Sequence, residues 1–228
     1  IFPYSNAGKQ CCGLGQRLLF NTPEALHEQL PRWVEDARLA ITAEARLDNR
    51  PELCDQFAIP PADRPTTPDS ELILRAYLKW GEESPDHLLG DWSFAVWHPD
   101  ERKLFLARDH HGNTSLVYWQ EDERFAFASD PKALYAIGAP RRLNELYLAQ
   151  VLISWPAYHG PQTIDLDIQR LPPAHAMTVT PQGMRVWRYW RLEDMPELRL
   201  PNRDDYVQGF LLQRPHTDMS FDFEHVVL

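Results

Sequence analysis

Two cysteines, Cys11 and Cys12, stand side by side in the stretch CCGLGQRLLF, directly before a glycine-bracketed apolar run. A thiol becomes a nucleophile when a neighbouring base removes its proton, and a cysteine at a chain start can use its own α-amino group for that purpose. Cys12 is not N-terminal, so this chemistry would require cleavage before it. The plainer reading has both sulfurs filling space as small hydrophobes at the entrance to a strand. A second candidate is the imidazole pair His110-His111 in RDHHGN, which could hold a metal or move protons if a third group joined them. No other Cys or His cluster stands at zinc-ligand spacing, so no metal site is expected. Arg108 and Asp109 just before the histidines read as an ion pair supporting a turn. Trp187, Tyr189 and Trp190 offer a stacking platform or an exposed docking surface, although alternate positions on a strand suit core packing equally well.

The elements that must position these residues are read from period and punctuation. TPEALHEQLPRW opens with Thr22 as cap and Pro23 in the first turn, and Pro31 ends it early, which predicts a short helix. LAITAEARL, residues 39–47, alternates as a strand, and DNRPEL turns into another helical piece. PDSELILRAYLKWGEE is the clearest helix, capped by Asp69 or Ser70, with Leu72, Ile73, Ala76, Tyr77 and Trp80 on one face and Gly81 at its end. DWSFAVWHPDERKLFLARD, SLVYWQEDERFAFAS and AHAMTVTPQGMRVWRYW are three hairpins, and SDPKALYAIG starts a capped helix with Pro131 in its first turn. Hairpins in series, broken by helices without strict alternation, predict an α+β fold of antiparallel sheets with helical layers.

Composition narrows the partners. The 228 residues carry 23 Lys and Arg against 33 Asp and Glu, a net charge of -10, which opposes the counterion release that drives nucleic-acid binding. With 43% hydrophobic residues the chain can bury a full core, yet it has no run long enough to span a membrane. The opening IFPYSNAGKQ lacks the charged start and apolar centre of a signal peptide, so a cytoplasmic location is expected, with neither nucleic acid nor membrane as partner. Cys11, Cys12 and Cys54 cannot all pair, and adjacent cysteines bridge only with strain, which makes a disulfide framework an unsuitable reading.

DSELILRAYLKWGEESPDHLLGDWSFAVWHPDERKLFLARDHHG, then FAFASDPKALYAIG and RLPPAHAMTVTPQGMRVWRYW, resembles the N-terminal glutaminase domain of the asparagine synthetase family, in order from about residue 13 to about residue 210. The resemblance implies an N-terminal-nucleophile-type αββα sandwich, two antiparallel sheets between helical layers, over residues 1–192. It implies that 193–228 are a linker and the start of a truncated or missing ATP-dependent synthetase domain. It further implies ammonia release from glutamine in this domain, and ATP and magnesium, with no cofactor here, for the synthetase part.

Against the family pattern the glutamine site reads as degenerate. The family nucleophile is an N-terminal Cys about forty residues before the segment that GLGQRLLF resembles, and only 12 residues precede that segment here, leaving Cys12 a weak candidate. Where the family writes NGEIYNYREL, this chain has EARLDNRPEL: Glu44 replaces the Asn and Ala45 the Gly of the oxyanion hole, and Arg46 replaces the Glu. The Arg that grips the substrate carboxylate falls on Leu18, or on Arg17 after a slip of one residue. Asp69 matches the Asp that holds the substrate amino group, with a helix cap as its competing role. The expected substrate-binding set is therefore Asp69, Arg17, Glu44 and Ala45, with no confident catalytic residue. The ATP pyrophosphatase signature SGGxDS does not occur in the 228 residues. Two functions follow as expectations. One is a non-hydrolytic domain that docks on an ATP-dependent ligase domain or partner chain, as in the β-lactam synthetases and lasso-peptide cyclases, with a homodimer as a further arrangement. The other is an active amidotransferase whose N-terminal Cys and synthetase domain lie outside this chain.

Overall fold

The computed structural model describes the chain apart from residues 1, 7, 8, 21, 123, 154–159, 195–198, 200 and 213–228, and describes only the backbone of 2–6, 9–11 and 209–212. Residues 1–191 form one compact unit and 192–228 a second. The second holds a 3-10 turn at Leu192–Asp194 and helix α5, Arg203–Leu212, whose first turn is capped by Asn202 Oδ1 accepting from the Asp205 N–H at 3.0 Å.

In the first unit, β1 (Phe2–Asn6) and β2 (Lys9–Leu14) form a hairpin. A six-stranded antiparallel sheet has the order β11-β10-β6-β5-β4-β3, made from β3 (Arg32–Val34), β4 (Leu39–Leu47), β5 (Gly90–His98), β6 (Lys103–Arg108), β10 (His175–Thr180) and β11 (Gly183–Arg188). A three-stranded sheet, β8-β7-β9, comprises β7 (Val117–Glu121), β8 (Arg124–Ala128) and β9 (Ile168–Arg170). Helices α1 (Arg50–Gln56), α2 (Asp69–Trp80), α3 (Pro131–Ala136) and α4 (Glu145–Ile153) complete it.

The layering follows from side-chain alternation along the strands. Ile41, Phe94, Val96 and Phe105 face one way and bury against Leu72, Ile73, Ala76 and Tyr77 of α2 and Leu53 of α1. Their neighbours Ala40, Ala95, Trp97, Leu104 and Leu106 face the other way, onto Leu116, Tyr118 and Leu171 beside the small sheet. The far face of that sheet, Val117, Trp119 and Ile168, packs on Leu134 of α3. Helix, sheet, sheet, helix is the αββα arrangement of an α+β fold, as the hairpin series predicts. Gly90 lets β4 and β5 approach: at φ +129, a Cβ there would stand 2.1 Å from the Arg46 carbonyl oxygen.

Several expectations need correction. The strand at the cysteines spans Lys9–Leu14, so Cys12 sits inside it, paired with Tyr4, and residues 15–20 run outside any sheet. Cys11 has no described side chain. The segment after Thr22 forms only a 3-10 turn, Glu24–His27. Arg108 and Asp109 do not pair with each other among the described residues: Arg108 ends β6, and each side chain is taken up by other groups around the turn that follows. Arg108 donates to the carbonyls of Thr114, Leu171 and Gly112, each at 2.7 Å. Asp109 accepts from the N–H groups of His111, Asn113 and Thr114 at 3.0 Å and from the Thr114 hydroxyl at 2.8 Å. Trp187 packs on Phe105, and Tyr189 stacks on Trp92 and donates to the Arg108 carbonyl at 2.8 Å, so both flank the core and do not form an exposed docking surface. Trp190 meets His110 edge to face.

The cap of α2 is a further correction. Neither Asp69 nor Ser70 caps it, since the N-cap residue is Pro68 and it has no side-chain acceptor. Glu28 supplies the acceptor instead: its Oε1 takes the Ser70 N–H at 3.1 Å and its other oxygen takes the Ser70 hydroxyl. Burial pushes the Glu28 carboxyl above its ordinary value of 4.5, against the lowering by Ser70, and Asp69 beside it raises it further while Arg50 opposes. A raised folded-state pKa means that the folded chain holds a proton the unfolded chain releases, so this contribution to stability is present at low pH and is lost as pH rises through the raised value. Glu28→Gln, which keeps an acceptor for the Ser70 N–H, should therefore gain on the parent in melting midpoint between about pH 4 and pH 7. A constant difference across that range would contradict the assignment.

Candidate active site

An open cleft of about 1670 Å³ lies between the two sheets, walled by the end of β2, the segment after it, β4, β5 and the β7–β8 hairpin. Cys12 reaches it from β2, half-buried against the Leu106 and Tyr118 cluster. Gln16 ties the following segment to β4: its Nε2 donates to the Ala43 carbonyl at 3.2 Å and its Oε1 accepts from the Thr42 hydroxyl at 2.6 Å. This anchoring brings Arg17, exposed, to the same cleft as Glu44 and Ala45, both half-buried on β4.

Asp69 does not join them. It is 3% exposed outside the cleft lining, with Oδ2 accepting the Leu47 N–H at 3.1 Å and Oδ1 paired with Arg50. Arg50 in turn donates to the Thr67 carbonyl at 2.8 Å and the Arg64 carbonyl at 3.2 Å. Burial raises the Asp69 pKa, while Arg50 and the Leu47 N–H oppose it. Its carboxylate joins the end of β4 to the start of α2.

The sequence reading missed an ion pair at the cleft wall. Arg46 and Asp91 are direct partners across β4 and β5, with Arg46 Nη2 donating to Asp91 Oδ2 at 2.9 Å. Asn113 Nδ2 donates to the other oxygen at 2.6 Å, and Arg46 also lies 3.4 Å from Asp48. The signal was available in the register: pairing Ala43 with Phe94 places an arginine opposite an aspartate three residues on.

Chemically, the cleft presents one described thiol, a carboxylate at Glu44, the Arg46–Asp91 pair and the guanidinium groups of Arg17, Arg102 and Arg124. No histidine is among the described residues that line it. His110 lies elsewhere, edge-on to Trp92, Tyr189 and Trp190, where burial and then His111 lower its pKa against the opposing charge of Asp109. Among the described residues no group of three or more His, Cys, Asp or Glu could hold a metal ion, and no helix is long and apolar enough to cross a membrane.

Comparison with known proteins adds the family. Residues 10–190 match the model of the glutamine amidotransferase domain. Asparagine synthetase 3 (glutamine-hydrolyzing) of Bacillus subtilis strain 168 is 35% identical over 142 residues, 62% of this chain and 23% of the relative. Asparagine synthetase 2 of the same organism is 27% identical over 216 residues, 88% of this chain and 28% of the relative. Among solved structures, glutamine phosphoribosylpyrophosphate amidotransferase from B. subtilis aligns at a TM-score of 0.49 with 17% identity, over 70% of this chain and 30% of that one. The chain thus spans about a quarter of the length of these two synthetases. With the matched segment taking in both sheets and the cleft between them, the chain belongs to the glutamine amidotransferase domain family.

Proposed function

We propose that this chain is the glutaminase-type domain of an asparagine-synthetase-like amide ligase, that it no longer hydrolyses glutamine, and that it serves as a structural domain for the ATP-dependent part. The observation that carries this is the place of Cys12 inside β2, backbone-paired with Tyr4. Its nitrogen is an amide in a strand, so it is not a free amine that could take the thiol proton.

The facing wall supports the same reading. A tetrahedral oxyanion is stabilised by donors aimed at it, and losing one donor slows such reactions by about 10²–10³. Glu44 brings a carboxylate to this wall, and Arg46, the cation two residues on, is committed to Asp91. Asp69, committed to Leu47 and Arg50, has no oxygen directed to a substrate ammonium in the cleft. ATP and magnesium would belong to the ligase part: no step of the present chain's chemistry uses them, and its sequence has no SGGxDS segment.

The test is covalent. 6-Diazo-5-oxonorleucine, a glutamine mimic that alkylates nucleophilic cysteines, should leave the intact mass of the 228-residue chain unchanged. Stoichiometric addition mapped to Cys12 would overturn the reading.

A further inference from the structure

Helix α4 is apolar on two opposite sides. Its inner side seats Tyr147, 9% exposed, whose hydroxyl accepts from Arg170 of β9, and Leu148 and Val151 lie half-buried beside it. At about 100° per residue, Leu146, Ala149, Leu152 and Ile153 fall on the outward side with Glu145 among them at the first turn, and all are exposed. The exposures of the three large ones, 65%, 78% and 87%, show that nothing described covers them.

Backbone pairing fixes the segment before the helix. Leu166 donates its N–H to the Arg142 carbonyl and Asn144 donates to the Ile164 carbonyl, both at 2.8 Å. These bonds bracket the bridge between Leu143 and Asp165. Asn144 Oδ1 then caps α4 by accepting the Tyr147 N–H at 3.1 Å. Leu143, Ile164 and Leu166, each 50–53% exposed, are thereby held where the helix begins. A helix with large apolar residues on both sides is ordinarily covered on both, and clustered exposed apolar side chains of this kind ordinarily mark an interface.

We propose that the outward face of α4 is the surface on which the ATP-dependent ligase part docks. This rests on the function proposed above and names the face that it requires. The occupant follows from length: the matching region is 23% and 28% of the two synthetase relatives, so most of each relative lies outside it and has to pack on some face of this domain. Leu192–Asp194 and α5, which follow the matched segment, are charged or only partly apolar and offer no comparable stripe among the described residues.

The experiment places a photoreactive benzoylphenylalanine at Leu152, and separately at Arg17 in the cleft, in the protein expressed in its own organism. Cross-linked peptides are then identified by mass spectrometry. From Leu152 we expect peptides of a sequence containing the SGGxDS segment, whether on the same polypeptide or on another chain. Leu152→Lys should lower co-purification of that ligase roughly tenfold or more, without lowering the melting midpoint, because the side chain is 78% exposed. Cross-links from Leu152 to a second copy, or to this chain's own residues 154–159 or 213–228, would overturn the surface. Capture of the ligase from Arg17 alone would also overturn the surface and leave the proposed function standing. Capture of no ligase from either position would overturn both.

Discussion

Arg108→Met should remove about 3–5 kcal/mol of stability, because it strips charge-assisted hydrogen bonds from three carbonyl groups at once. The guanidinium is 9% exposed and serves three carbonyls, those of Thr114, Leu171 and Gly112, each at 2.7 Å. Methionine keeps most of the volume and removes every donor, so three carbonyl oxygens lose their partners at about 1–3 kcal/mol each before relaxation. Gly112 marks how tightly this turn is drawn, with φ +69 and room for a Cβ only 3.1 Å from the Arg108 guanidinium. Asp109→Ala should have a similar effect for the opposite reason: a fully buried carboxylate that accepts four hydrogen bonds would leave three N–H groups and a hydroxyl behind. The two losses should not add, because both act on the same turn. Against a total of about 5–15 kcal/mol for an ordinary domain, either change would unfold a large share of the molecules under mild denaturant. Urea unfolding with an unchanged slope and a much lower midpoint is the expected record, and a loss under about 1 kcal/mol for Arg108→Met would refute this account of the turn.

The consequence reaches the cleft. Asn113, placed by its N–H to Asp109, is the residue that orients Asp91 toward Arg46. Buried residues outside the cleft lining therefore help set the geometry of its wall.

The strands were legible because their signals are local. Period-two alternation with a polar turn marks β5–β6, β7–β8 and β10–β11, and each forms the expected antiparallel pair. Strand β9, three residues long, and α4, apolar on both sides, carry no such signal, and both escaped the sequence reading. What the side chains do was harder, since it depends on register between distant segments. Asp69 stands at the start of a helix, which suggests a cap, but the N–H it accepts belongs to Leu47 on another element. The acceptor that α2 does have comes from Glu28, 42 residues before Ser70, which no pattern in the helix could announce. For the site, the resemblance-derived residues Cys12, Arg17, Glu44 and Ala45 gather on one cleft, whereas Asp69 stands apart from it. The Arg108–Asp109 pairing failed because each side chain is taken up by groups of residues 111–114 and by the Leu171 carbonyl, contacts that no local pattern announces.

Ammonia release from glutamine by the purified chain decides whether Cys12 works as a nucleophile. The account predicts a rate no higher than that of a heat-killed control, because Cys12 has an amide where the chemistry requires an amine and Glu44 brings negative charge to the wall where charge would develop. Restoring donors by Glu44→Asn with Ala45→Gly should leave the rate at the control level, since the Cys12 nitrogen remains an amide. Ammonia release above the control that disappears in Cys12→Ala would contradict the account and establish Cys12 as a working nucleophile.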